Sequence, residues 1–305
     1  MNTTLRADTD EIKSNLNDIR DRMTDKRVLV TGGAGFLGSW LCEVLTFFGA
    51  DVLCVDNLAS GQESNISDLL HKDNFTFIKH DITRPLFFDK DLDVVLHLAS
   101  RASPFEFLRF PIQILKANTL GIWVALGIAK RHNARLLYTS TSEIYGNATE
   151  IPTSEAYNGN VNPIGVRSCY DEAKRCGESF VMAYRLEHGI DARIARLFNT
   201  YGPKMRADDI YGRVVPRFIE QALKNSPITV FGDGSQTRRS NRAYVLAHGE
   251  RCCVEQCPLS AAGEHFWDLF ATLGRRKNLN RLKTRRDFCV SLPDTSGEAK
   301  TTVII

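Results

Sequence analysis

Residues 28–39 read VLVTGGAGFLGS: a short apolar run, then three glycines spaced G-x-x-G-x-x-G, then apolar residues at helical spacing. No other stretch restricts the fold as much. Glycine is needed at such a junction for steric reasons. The turn from strand to helix is tight, a pyrophosphate must approach the backbone, and the helix must lie close on the strand. Free N–H groups and the helix dipole then favour an anion at the first turn. Gly32, Gly35 and Gly38 form the turn, with Phe36 and Leu37 between them. The next apolar run, DVLCVDN, ends in Asp56, 18 residues beyond Gly38. A carboxylate there accepts from ribose hydroxyls and repels a 2′-phosphate, which favours NAD over NADP.

The rhythm continues along the chain. RVLVTGG, DVLCVDN, FTFIKHDI, VVLHLAS and ARLLYTST read as five strands, with helices over GSWLCEVLTFFGA, Ile112 to His132 and Tyr170 to His188. DARIARLFNTYG reads as a sixth strand, GRVVPRFIEQALKN as a helix and PITVFGDG as a strand plus turn. Strands that are apolar throughout, alternating with helices, predict an α/β fold with a Rossmann-like, doubly wound parallel sheet. Residues 1–26 are a polar lead-in with Ile12, Leu16, Ile19 and Met23 at helical spacing. Residues 27–200 are expected to form the nucleotide domain, and 201–305 a smaller, incomplete-looking substrate lobe.

The net charge of +3 is uneven: residues 238–305 carry twelve Lys and Arg against seven Asp and Glu, leaving −2 for residues 1–237. A basic end can mark nucleic-acid or membrane contact, but neither partner is expected. The eight cysteines are scattered, and CCVEQC with His248 and His265 nearby matches no common zinc spacing, so no metal is expected. No signal-peptide pattern is seen, and no apolar run approaches the ~20 residues of a membrane span. A cytoplasmic location is expected.

SCYDEAK puts Tyr170 and Lys174 four apart on a predicted helix, hence on one face. The preceding strand ends in Thr141. A phenol has a reference pKa of about 10; a neighbouring ammonium and a positive nicotinamide ring favour its phenolate and poise it as a base. Thr141 can orient the same alcohol. The expected first step is proton removal by Tyr170 with hydride transfer to NAD. Asp81, with Ile82, is expected over the adenine end, and Leu98 to Ser100 near the nicotinamide half. His97, within an apolar strand, reads as structural.

These segments, with HDIT, LLYTSTSEIYG, NPIGVRSCYDEAKR, ARLFNTYGP, GRVVPRFI and TVFGDGSQTR, resemble the extended short-chain dehydrogenase/reductase superfamily and, within it, the UDP-glucuronate decarboxylases. The resemblance runs from about Arg27 to Arg238. It implies NAD as cofactor, with Asn57, Leu58, Tyr170, Lys174 and Thr200 among its contacts. It implies a UDP-sugar substrate held by Glu143, Asn199, Thr200, Arg213 and the run Thr229, Val230, Phe231, Gly232, Ser235 and Gln236. Oxidation at C4 of UDP-glucuronate makes the C5 carboxylate that of a β-keto acid, which loses CO2 as electrons flow into the carbonyl. Tyr170 then donates to the oxyanion, C5 gains a proton and the hydride returns to C4. In this scheme Ser142 and Glu143 assist around C5. Relatives commonly dimerise through two helices, here Ile112 to His132 and Tyr170 to His188.

After GSQTR the family pattern stops. The expected aromatic segment and late carboxylate-binding arginine are missing, and the charge change and cysteine cluster begin at the same place. Residues 239–305 read as non-family sequence from a shifted frame, or else as a divergent lobe. Arg101 stands where a proline is usual, and Ala117 where a threonine is usual. Two alternatives therefore stay open: an NAD-binding remnant without activity, and a nucleotide-sugar epimerase or dehydratase.

Overall fold

The computed structural model describes residues 17–150, 153–206, 214–230 and 240–242. A short helix α1 (Asn17–Met23) leads into strand β1 (Arg27–Thr31), helix α2 (Phe36–Phe47) and β2 (Asp51–Asp56). Then follow β3 (Phe75–Lys79), β4 (Val94–His97), a one-turn helix α3 (Pro104–Phe107), α4 (Pro111–His132) and β5 (Arg135–Thr141). Helix α5 (Ser168–His188), β6 (Ala192–Leu197), β7 (Asn199–Tyr201), α6 (Val214–Leu223) and β8 (Ser240–Arg242) complete the described elements.

Strands β1 to β6 form one parallel sheet in the order β3-β2-β1-β4-β5-β6. This is the expected doubly wound sheet. The central strands β1, β2, β4 and β5 are buried on both faces, which is why their sequences are runs rather than alternations, while the edge strand β3 is partly exposed. Successive residues of β1 serve opposite faces. Val28 and Val30 pack with Trp40, Val44, Leu45 and Phe48 beneath α2. Leu29 packs with Val95, Ile122, Leu126 and Tyr138 on the side of α4 and α5. The helices end where their sequences predict: Asn133 and Gly189 adopt left-handed caps after α4 and α5.

The register aligns the carboxyl ends of the strands. Thr31 lies opposite Val55 and His97, and Thr141 opposite Leu197. The order reverses between β1 and β4, and a cleft opens along that edge. Ligands of open α/β sheets bind at such a reversal.

Three sequence expectations change. DARIARLFNTYG is two strands, not one: the chain leaves the main sheet at Phe198, and β7 pairs instead with β8. Residues 227–230 of PITVFGDG form no strand, because the backbone N–H of Thr229 donates to Gln221 Oε1 at 3.2 Å and its hydroxyl meets Gln221 Nε2 at 2.8 Å. The rest of that run lies outside the described residues, as do residues 1–16 of the lead-in. Finally, one run does reach the length of a membrane span. Helix α4 is 22 residues long and apolar enough by length and composition, yet its Ile114, Ile122, Ala125 and Leu126 are buried in this fold.

Candidate active site

The cleft, of about 480 Å³, runs from the glycine turn to Tyr170. At one end, Gly32 has φ +74°, and a Cβ there would lie 2.7 Å from the Ala99 backbone. At Gly38 it would lie 2.2 Å from the Gly32 carbonyl oxygen. Side chains at these two positions cannot coexist with the turn, so the backbone remains open to an approaching anion. Gly35, Phe36 and Leu37 line the same end.

Asp56 follows at the tip of β2. It is buried, and its carboxylate accepts from the N–H of Ala34 at 3.1 Å and of Leu58 at 2.8 Å. Burial raises its pKa and these two N–H groups oppose the rise. Asn57, Asp81 and Ile82 line the cleft beside it, and Asp81 accepts from Thr83 N–H at 3.0 Å. Leu58 does not line the cleft: its side chain packs on the core while its N–H holds Asp56. Leu98 and Ser100 continue the wall, and the buried Ser100 hydroxyl has no hydrogen-bond partner among the described residues. A glycine cradle, an acid held by backbone N–H groups and an unsatisfied hydroxyl along one groove fit a dinucleotide.

At the other end, Thr141 caps a 3-10 turn spanning Ser142–Tyr145 and accepts from Glu143 N–H at 3.3 Å. This turn swings Ser142 and Glu143 into the cleft beside Tyr170 and Lys174. Tyr170 is buried, with its ring stacked on Phe107 at 5.5 Å. Lys174 is buried beneath it and donates to the Thr139 carbonyl at 2.7 Å. Burial pulls the Lys174 pKa down to about 7, and Glu178 one turn on draws it upward. Glu178 itself is held by Arg196 at 2.8 and 3.0 Å and accepts from the Ser140 hydroxyl. His97 is buried against Thr31 at 2.8 Å; burial, with Lys174 adding, pushes its pKa to about 3, so it stays neutral.

Sequence reasoning did not assign the most direct partner of Glu143. Arg167 forms an ion pair with Glu143 and also grips Asp171 at 3.2 and 3.3 Å. Its guanidinium lies 5.5 Å over Phe107. Burial, with Glu143 adding, raises the Asp171 pKa to about 6 against the pull of Arg167. The signal was present: Arg167 and Asp171 are four apart and flank Tyr170 on one helix start. Phe107 gave no comparable signal. Arg101 also lines the cleft, paired to the buried Glu106 through Nε at 3.0 Å and lying 4.5 Å over Phe110.

Asn199 and Thr200 line the cleft from β7. Thr229 and Val230 do not line it. Arg213, Phe231, Gly232, Ser235 and Gln236 lie outside the described residues. No cluster of metal-ligating side chains occurs among the described residues.

A model of the family described as "NAD dependent epimerase/dehydratase family" matches residues 28–240. UDP-glucuronic acid decarboxylase 1 of Xenopus tropicalis is 47% identical over 224 residues, 73% of this chain and 52% of that protein. UDP-glucuronic acid decarboxylase 4 of Arabidopsis thaliana is 49% identical over 223 residues, 73% of this chain and 49% of that protein. The chain thus spans about half the length of the curated relatives it matches. Among solved structures, a UDP-glucuronic acid 4-epimerase from Bacillus cereus in complex with NAD superposes with a TM-score of 0.61 at 29% identity, over 73% of this chain and 71% of that one.

Proposed function

The chain belongs to the NAD dependent epimerase/dehydratase family, and we propose that within it the protein decarboxylates UDP-glucuronate to UDP-xylose through a 4-keto sugar. The observation that carries this reading is Glu143, which reaches the reacting end of the cleft beside Tyr170 and is paired with Arg167. The similarity to UDP-glucuronic acid decarboxylases supports it.

NAD bound along the cleft supplies reversible hydride exchange at C4 of the sugar. Gly32 and Gly38 leave room for its pyrophosphate, and Asp56 accepts from its ribose. Thr141 orients the C4 hydroxyl, and Tyr170 takes that proton as the C4 ketone forms. The C5 carboxylate is then β to the ketone and leaves as CO2, while Tyr170 donates to the enolate oxygen that results. Glu143, with its charge balanced by Arg167, holds the ring and, with Ser142, attends the proton that C5 gains. Asn199 and Thr200 close the sugar end.

A second copy of the chain is the partner we infer. Ile112, Leu115, Leu120 and Trp123 on α4 are exposed, and α4 lies against α5, so the surface of this helix pair offers an apolar face on α4 for docking. The described cysteines Cys42, Cys54, Cys169 and Cys176 are free thiols, in keeping with a cytoplasmic site of action.

One observation favours a second reading. The family match ends at residue 240, and the late carboxylate-binding arginine of the family pattern has no counterpart in the sequence beyond it. A chain of this kind would bind NAD without turnover. Incubation with NAD and UDP-glucuronate separates the two. CO2 and UDP-xylose are expected, with Tyr170→Phe lowering the rate by about 10³-fold. Thermal stabilisation by NAD with no product would favour the second reading, and UDP-galacturonate as product would make the protein an epimerase.

A further inference from the structure

After β7 the chain does not turn away from the nucleotide half. Residues 203–206 run back to it, and Lys204, Met205 and Arg206 line the same cleft as Gly38, Asp56 and Ser60. Five contacts tie this strap down, one of them from Arg206 Nη1, which donates to the Ser60 carbonyl at 3.5 Å. Lys204 Nζ meets Glu43 Oε2 at 2.7 Å, with both side chains largely removed from water at 13% and 14% exposure. The same ammonium lies 5.0 Å from the Trp40 ring. The buried Trp40 indole N–H donates to the Pro203 carbonyl at 3.2 Å. Asn65 Nδ2 donates to the Ala34 carbonyl within the glycine turn at 3.0 Å and approaches the Lys204 carbonyl at 3.5 Å. Lys204 has φ +69°, a left-handed conformation that side chains other than glycine rarely adopt. Such a conformation persists where surrounding contacts over-determine it.

These contacts all join the strap to elements of the nucleotide half: Trp40 and Glu43 on α2, Ser60 after β2, and Asn65 beside the glycine turn. A dinucleotide in the cleft therefore lies between the turn and the strap. We propose that Lys204, Glu43 and Trp40 form a clasp that holds residues 203–206 over the nucleotide end of the cleft, so that NAD leaves only when the clasp opens. This goes beyond the sugar chemistry and does not depend on it.

The test is NAD release from the full chain, followed by displacement with excess ADP-ribose in rapid mixing. Glu43→Gln and Lys204→Met are each expected to speed release by about tenfold. The charge-swapped pair Glu43→Lys with Lys204→Glu should return it to within about threefold of the original. Trp40→Phe keeps an aromatic ring on α2, removes the indole N–H that holds the Pro203 carbonyl and leaves both charges of the clasp in place, so it serves even if the charge variants fold poorly; it should speed release about threefold. Thermal unfolding without NAD accompanies each variant to separate loosened retention from loss of fold. Unchanged release in the single variants or in Trp40→Phe, a swapped pair as fast as the singles, or a full chain that holds no NAD would each overturn the clasp.

Discussion

The two ends of the cleft achieve their geometry by different means. At the nucleotide end, Asp56 is met by backbone N–H groups of Ala34 and Leu58, and the turn is shaped by the absence of side chains at Gly32 and Gly38. At the Tyr170 end, two sets of charged side chains hold one another: Glu143 with Arg167 and Asp171, and Lys174 with Glu178 and Arg196. The first design is steric and tolerates little change of shape. The second is electrostatic, so its parts depend on one another's charge. A backbone cradle suits a cofactor that must bind the same way every time. A charged network suits chemistry in which protons move.

This contrast can be broken experimentally. The largest effect is expected for Gly38→Ala, since its Cβ would overlap the Gly32 carbonyl. NAD binding should fall below detection in calorimetry, with a loss of several kcal/mol in urea unfolding. Next comes Glu178→Gln. Arg196 and Glu178 are 6% and 12% exposed at their side chains, and removing one partner of a buried ion pair costs about 3–5 kcal/mol. Urea denaturation reads this directly. Tolerance of Gly38→Ala together with sensitivity at Glu178 would invert the proposed division.

Lys174 gives a pH signature of intermediate size. Its folded-state pKa of about 7 lies below the ordinary lysine value. Between the two, the unfolded chain binds more protons than the folded one, so stability rises as pH increases through that window. Over about two pH units above 7 the gain should be about 2–3 kcal/mol relative to Lys174→Met, in which this part of the slope is flattened. The smallest effect is expected for Asp56→Asn. It keeps the shape but weakens acceptance from the ribose, lowering NAD affinity by about tenfold, or about 1.4 kcal/mol. A titration of NAD against both forms decides it.

The same contrast explains what was legible in the sequence. The nucleotide end is local: a turn, a helix start and the tip of the next strand lie within 25 residues, and their steric demands select glycine and aspartate in a readable order. Thr141, Tyr170 and Lys174 were legible because a strand end and a helical i, i+4 pair fix their faces. Arg167 could have been assigned from the same spacing rule. The stacking of Phe107 on Tyr170 and the Glu178–Arg196 pair could not, because sheet and helix packing join residues distant in sequence. Strand breaks were the least legible. No glycine or proline separates Leu197 from Asn199, and only the pairing of β7 with β8 shows where the chain leaves the main sheet. Likewise, the claim of Gln221 on Thr229 is a tertiary contact that no periodicity records.

A single-turnover experiment on the full chain loaded with NAD addresses the central claim most directly. On rapid mixing with UDP-glucuronate, reduced-cofactor absorbance should rise and then fall, with CO2 released between the two phases and UDP-xylose recovered at the end. A flat trace with no pentose product, in a preparation shown to hold NAD, would contradict it.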